Sequence, residues 1–155
     1  MIDAAGAEKA GALALVHAAA FPDAPWREDE IARLLDNPAT LALIFCPDDA
    51  PSRVRGFVMI WVAAGDCEIL TLAVAPDARR AGMGGSLVSA ACAAALLRGA
   101  ETVHLEVAET NTAALGLYAK LGFERVGMRA GYYMGEGGAT DALVLRRKLP
   151  RPEIT

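Results

Sequence analysis

Apolar positions recur at helical spacing near the start of the chain. Leu13, Val16 and Ala20, with Leu15 beside them, predict a helix over Ala7 to Ala20. Pro22 and Pro25 forbid its continuation. Ile31, Leu34 and Leu35 share one face of a second predicted helix, from about Arg27 to Leu35, stopped at Asn37-Pro38. The period then falls to two. Thr40 to Cys46 is a short apolar run closed by the turn cluster Pro47 to Ser52. Val54 to Ala63 and Cys67 to Val74 read as strands joined through Gly65-Asp66. From Gly82 to Leu97 the pattern is helical again, carried by Leu87, Val88, Ala91, Cys92, Ala95 and Leu96 and ended by Gly99. Thr102 to Val107 alternates, with Val103, Leu105 and Val107 on one face and His104 and Glu106 on the other. Asn111 is placed to cap a helix running to about Leu121, and Gly122 falls where a left-handed C-terminal residue belongs. Glu124 to Tyr133 and Ala142 to Arg147 predict a last strand pair around the glycine-rich loop Gly135 to Thr140.

The order is helix, helix, three strands, helix, strand, helix, two strands. That is a mixed α/β (α+β) arrangement in which a crossover helix links two strands. No repeat or long linker interrupts it, so one domain is expected over residues 1–150, with a frayed tail at 151–155.

Composition narrows the class. Of the 155 residues, 54% are hydrophobic and 22% charged, which supports a substantial core and rules out global disorder. Lys and Arg number 15 against 19 Asp and Glu, a net charge of −4, without the basic surplus of a nucleic-acid binder. Cys46, Cys67 and Cys92 are widely spaced, form no CxxC pair and are accompanied by only two histidines. A disulfide framework or a metal site is therefore not expected, and the thiols read as reduced groups in or near a core. The apolar stretch Ala10 to Phe21 follows acids rather than a basic segment and is too short to span a bilayer. A cytoplasmic protein is expected.

Candidate chemistry concentrates in Leu70 to Gly85, LTLAVAPDARRAGMGG, where a strand runs through two arginines and three glycines into a helix. Glycines let a ligand approach the backbone closely, and unpaired amides at a helix start suit an anion such as a pyrophosphate. A tight strand-to-helix turn with solvated arginines would look the same. A Walker loop is excluded because Gly-Lys-Ser/Thr is absent, and the dinucleotide fingerprint because the third glycine is missing at the required offset.

Arg79-Arg80-Ala81-Gly82-Met83-Gly84 resembles the acyl-CoA signature of the GNAT superfamily of N-acetyltransferases, Arg/Gln-x-x-Gly-x-Gly/Ala after a hydrophobic strand, here Leu72-Ala73-Val74 with Pro76-Asp77. Leu105-Glu106-Val107, Asn111, Leu117-Tyr118 and Leu121-Gly122-Phe123 resemble the second half of that family's cofactor site, in its RimI-like branch, which acetylates protein N-termini. Tyr132-Tyr133 followed by Asp141-Ala142 resembles the strand pair that covers the acceptor in the same branch. Phe21 and Pro25-Trp26 resemble its Phe-Pro-Trp region, with Asp23 and Ala24 inserted. The likeness covers nearly the whole chain. Three departures stand out: Gly85 replaces a basic residue common after the signature, Thr140 stands where an acid often precedes the Asp, and Ala130-Gly131 replaces a more polar pair.

The resemblance implies a mixed, mostly antiparallel twisted sheet splayed between two parallel strands and flanked by about four helices. It implies acetyl-CoA as cosubstrate, held by the Leu72, Ala73 and Val74 backbone and by Arg79, Arg80, Ala81, Gly82, Met83, Gly84 and Gly85, with Asn111 as a further contact. It implies Glu106 as the base, working through a bridging water, and Tyr118 as the acid that protonates the departing thiolate. Trp26, Tyr132 and Tyr133 would bind the acceptor. Each residue also has a plainer reading: Glu106 as a solvated strand-end acid, Tyr118 as a core tyrosine, Asn111 as a helix cap, the Tyr pair as strand aromatics. His104 reads as a packed or half-exposed strand residue, and Asp23, Glu28, Asp66 and Glu109 as solvated surface.

The expected activity is direct transfer of acetyl to a peptide or protein N-terminal amine in a ternary complex, a ribosomal protein being one possible acceptor. The acting form would be a monomer or weak dimer without nucleic acid or membrane. Two alternatives stand beside it: acetylation of a small-molecule amine or a lysine side chain, and a non-catalytic acyl-CoA-binding module. Retention of both Glu106 and Tyr118 argues against the latter.

Overall fold

A computed structural model describes residues 1–79, 81–135 and 138–150, the side chains of 132–135 and 138–139 excepted. The strands are β1 (Ile2–Ala5), β2 (Thr40–Phe45), β3 (Gly56–Ala63), β4 (Asp66–Val74), β5 (Thr102–Ala108), β6 (Glu124–Gly135) and β7 (Gly138–Lys148). The helices are α1 (Ala10–Ala20), α2 (Glu28–Asp36), α3 (Met83–Leu97) and α4 (Thr112–Lys120), with single 3-10 turns at Ala7–Lys9 and Pro76–Ala78. One seven-stranded sheet runs in the order β1-β2-β3-β4-β5-β7-β6. Every neighbouring pair is antiparallel except β4 and β5, which are parallel and joined through α3.

The alternation of the strands fills two cores. Ala42, Ile44, Phe57 and Met59 face Leu13, Val16 and Ile31 of α1 and α2. Leu43, Val58, Ile60, Cys67 and Ile69 face Leu87, Val88, Ala91 and Cys92 of α3, and this core continues to Tyr118 and Phe123 around α4. Gly56 lets α3 lie against the sheet: a Cβ there would stand 2.8 Å from Met83 Sδ, 3.3 Å from Leu87 Cδ1 and 3.2 Å from the Ala73 carbonyl. Burial pushes the Cys67 thiol up to about 12, so it stays a protonated, inert core group. Cys46, Cys67 and Cys92 are all free thiols.

Three features depart from the sequence reading. β1 was not expected: Ile2 is its only strongly apolar residue, and its extended form comes from pairing with β2, Ile2 opposite Phe45 through Ala5 opposite Ala42. The β3–β4 turn is Ala64-Gly65, both at positive φ (53° and 78°), and Asp66 already belongs to the strand. The glycine-rich segment is mostly strand, since β6 runs to Gly135 and β7 starts at Gly138. The remaining elements fall within a residue or two of expectation, apart from the α1 start, where the 3-10 turn precedes Ala10. Residues 151–155, expected as a frayed tail, lie outside the described residues.

Candidate active site

The site is organised by a seam that starts to close and then opens. β4 and β5 pair at Asp66 with Thr102, Cys67 with Val103 and Glu68 with His104, and there the register ends, although β4 continues to Val74 and β5 to Ala108. The closed end is held by Asp66, whose Oδ1 accepts from the Thr102 hydroxyl at 2.7 Å and whose Oδ2 lies 3.0 Å from His104 Nδ1. The opening has a local cause in β4. Met59 pairs with Thr71 but Ile60 with Ile69, so Leu70 is an extra residue in the strand. Such a bulge bends the strand that carries it. Leu70 packs toward α1 and α2 while Ile69 and Leu72 pack toward α3, so the alternation slips by one at this point.

Beyond the bulge the strand enters the loop that opens α3. Gly82 is the residue before the helix, at φ 79°, a left-handed conformation that disfavours any side chain, and a Cβ built on it would meet nothing within 4 Å. Among the described residues no side chain caps this helix, and its first amides, which have no intrahelical acceptor, point outward with partial positive charge. Gly84 and Gly85 have a different surrounding: a Cβ at Gly84 would stand 3.3 Å from Leu117 Cδ2, and one at Gly85 3.7 Å from Leu117 Cδ1. These two glycines let α4 approach α3. Close approach from outside is open at Gly82. Arg79 reaches back toward the Ala20 carbonyl at 3.5 Å, and Arg80 lies outside the described residues. Arg55 pairs with Asp77 and holds its carboxyl below the usual carboxylate range, tying the start of β3 to this loop.

Glu106 lies two residues past the last β4–β5 pair, on the same face as His104. Its side chain is 24% exposed and accepts from Arg129 Nη1 at 3.0 Å and 3.1 Å through its two oxygens. Tyr118, 5% exposed, packs edge-on against Phe123 at 5.4 Å in the core under α3 and α4. The two residues expected to act as base and acid thus stand on opposite faces of the sheet, on either side of the opening. Asn111 caps α4, its Oδ1 accepting from the Ala114 amide at 3.2 Å. The side chains of Tyr132 and Tyr133 lie outside the described residues, while the Tyr133 backbone pairs with Thr140.

Sequence reasoning missed His17. It is buried, and burial lowers its pKa to about 4, so the ring is neutral. Its Nδ1 accepts from the Trp26 amide at 3.0 Å, which puts the proton on Nε2, 3.2 Å from Thr71 Oγ1. The rings of Phe21 and Trp26 lie 4.8 Å from it, Trp26 stacked at 17°. Trp26, expected as an acceptor contact, has its ring committed to His17. The available signal was the polar His17 on an otherwise apolar helix. A shallow depression of about 620 Å³ at the start of α2, lined by Arg27, Glu28, Asp29 and Ala32, contains none of the expected site residues.

A parallel pair that parts midway, beside a helix that begins on bare amides, is a geometry suited to an extended ligand with an anionic end. The comparisons with known proteins give the class a family. The profile of the acetyltransferase (GNAT) family matches residues 12–123. A Bacillus subtilis protein provisionally named a ribosomal protein bS18-alanine N-acetyltransferase is 32% identical over 122 residues, 78% of each chain. The crystal structure of the ribosomal-protein-S18-alanine N-acetyltransferase of Escherichia coli superposes with a TM-score of 0.90 at 25% identity, over 99% of this chain and 96% of that one. An Arabidopsis thaliana protein solved with acetyl-CoA shares the fold at a TM-score of 0.83 and 17% identity, over 96% and 98% of the two chains. The chain belongs to the GNAT acetyltransferase family, in its RimI-like branch. It is an acetyltransferase, and its cosubstrate is acetyl-CoA. The splayed seam and the open backbone at Gly82 fit that molecule.

Proposed function

We propose that this enzyme acetylates the α-amino group of a protein N-terminus in the cytoplasm, through one catalytic domain spanning residues 1–150. Relatives named for acetylating the alanine terminus of a ribosomal protein support that acceptor class. The observation that carries the reading is the position of Glu106, a partly exposed carboxylate at the mouth of the β4–β5 opening.

In this reading the Leu72–Val74 backbone, unpaired toward β5, binds a pantetheine arm as a further strand would bind. The amides of Ala81, Gly82, Met83, Gly84 and Gly85, with Arg79 and Arg80, hold the pyrophosphate. Asn111 caps α4 and lines the same channel. Acetyl-CoA supplies a thioester: the acceptor nitrogen bonds to its carbonyl carbon, the carbon–sulfur bond breaks, and CoA leaves as the thiolate. Glu106 takes the proton the amine sheds, directly or through one water, and Tyr118 gives its hydroxyl proton to the leaving sulfur from the other face of the sheet. An α-amine has a pKa of roughly 7.7–8.0, so the base removes a proton that is already partly gone. Trp26, Tyr132 and Tyr133 shape the acceptor groove.

The test is a panel of peptides matched in sequence, with free termini, with blocked termini, and with blocked termini plus one lysine, incubated with labelled acetyl-CoA. Acetylation confined to free termini is expected. Glu106→Gln lowers kcat by about 100-fold or more and leaves acetyl-CoA affinity by calorimetry within about twofold. Acetylation of blocked peptides at lysine as fast as of free termini overturns the acceptor assignment, and full turnover by Glu106→Gln overturns the role of that residue.

A further inference from the structure

The base proposed above is not presented to solvent alone: a guanidinium holds it. Arg129 sits on β6 opposite Ala142 of β7, and Glu106 sits on β5 opposite Val144 of β7. Both side chains therefore rise from one sheet face and meet across Ala142 and Val144 of the strand between them. A single nitrogen, Nη1, contacts both carboxylate oxygens. Arg129 is the more exposed partner, at 56% against 24%. Its place is fixed from below. The β6–β7 register breaks just after it, Gly131 takes φ 63°, and the Gly131 amide donates to Asp141 Oδ1 at 2.8 Å.

We infer that Arg129 is a specificity-determining residue which admits acceptors arriving as neutral amines and rejects those arriving as ammonium ions. The inference rests on the reading of Glu106 as the base. Without Arg129, a carboxylate at the mouth of the opening would attract any ammonium group and could take its proton after binding. With a permanent cation on that carboxylate, an incoming ammonium meets a like charge within a few ångströms and must displace an existing ion pair. A neutral amine meets no such barrier.

This sorts acceptors by how often they arrive uncharged. At pH 7.5 roughly a quarter of α-amines are neutral, against about one lysine in a thousand. The α-amine can use the neutral route, while lysine depends on the route that Arg129 closes. Among the described residues, the other charged or titratable groups on this face are Asp66 and Glu68 on β4, His104 on β5, Arg146 and Lys148 on β7 and Glu124 on β6. His104 is engaged by Asp66 at 3.0 Å, and the Asp141 carboxylate takes the Gly131 amide.

The experiment measures kcat/KM between pH 6.5 and 9.5 for the wild type, Arg129→Gln and Arg129→Lys. Its substrates are a lysine-free peptide with a free terminus and the same peptide blocked and carrying one lysine. In the wild type the free-terminus value rises with pH and reaches half its plateau near the amine's own pKa, and the lysine peptide lies at least about 100-fold lower. Arg129→Gln narrows that ratio at least about tenfold, chiefly by gain on lysine, and flattens the pH profile. Arg129→Lys keeps both near wild type. A wild-type profile that is flat between pH 6.5 and 8 overturns the inference without any variant. So does an unchanged ratio in Arg129→Gln, or equal behaviour of the two variants. Those results leave N-terminal acetylation standing, whereas a wild type that acetylates neither peptide overturns both readings.

Discussion

The two faces of the sheet are built to different rules. Toward α3 and α4 it is apolar from β2 to β7 apart from Arg147 beside Cys92: Leu43, Val58, Cys67, Val103, Leu105, Leu143 and Leu145 are all buried. Toward α1 and α2, among the described residues, only the β2–β4 half is covered, around Phe57, Met59 and Ala73. The β5–β7–β6 half of that face carries His104, Glu106, Arg146, Lys148, Glu124 and Arg129, polar and charged groups that tolerate burial poorly and here stay at least partly wet. One face is a continuous core whose helix begins at the opening. The other is half core and half open ground, where a second substrate can reach the same opening. A covered face fixes backbone geometry and an uncovered one admits chemistry, and β5 serves both through alternate residues.

Lesions on the two faces should therefore separate. The largest effect is expected on the covered face. Gly56→Val forces α3 away from β3, because its Cβ alone already crowds Met83 Sδ at 2.8 Å and the Ala73 carbonyl at 3.2 Å. Overpacking of this kind costs about 1–3 kcal/mol. Met83 is the first residue of α3, so acetyl-CoA binding weakens at least about tenfold by titration calorimetry. Undiminished binding would mean that the helix start does not report the packing beneath it.

On the other face, His17→Gln should leave acetyl-CoA binding close to wild type and raise KM for the acceptor peptide, because the Trp26 turn loses its stacked anchor. It also carries a pH signature. The folded-state pKa is depressed to about 4 from 6.5, so below pH 6.5 the unfolded chain takes up a proton that the folded chain refuses. Stability falls from pH 6.5 toward 4, by about 2 kcal/mol of the wild-type loss between pH 7 and 5. Urea midpoints at those two pH values should show a smaller drop in His17→Gln than in the wild type. Equal drops would remove His17 as the source. The smallest effect belongs to Asn111→Ala, which deletes one cap bond and lowers stability by about 1 kcal/mol, read as a thermal shift of a few degrees. A much larger loss of acetyl-CoA affinity than of stability would show that Asn111 contacts the cosubstrate as well as the helix.

Local determinants were legible in the sequence. Asn111 and Gly122 cap α4 as expected, with Gly122 at φ 86°, and the glycines mark the start of α3 because each acts on its own few residues. The remaining candidate site residues were read from family motifs alone. Three things were hidden because they arise between distant segments. β1 is a strand by virtue of a partner some forty residues away. The bulge at Leu70 exists only as a mismatch with β3. The Arg129–Glu106 and His17–Thr71 contacts span 23 and 54 residues, and no spacing rule reaches across such distances. Glycine content also misled: Gly135 and Gly138 pair with each other in the strands, where loop chemistry was the natural reading.

The parted seam has one more consequence. A sheet that stops pairing midway carries two bare edges inside itself, and bare edges ordinarily recruit stray strands from other molecules. Here each edge is backed on its far side, β4 by β3 and β5 by β7, and only the few residues from Ile69 to Val74 and from Leu105 to Ala108 are exposed to each other across the notch. A whole foreign strand finds too short a template, while a slender chain of amides finds donors and acceptors in a row. In the proposed reading, the same narrowness that leaves little room for a foreign strand suits a slender guest.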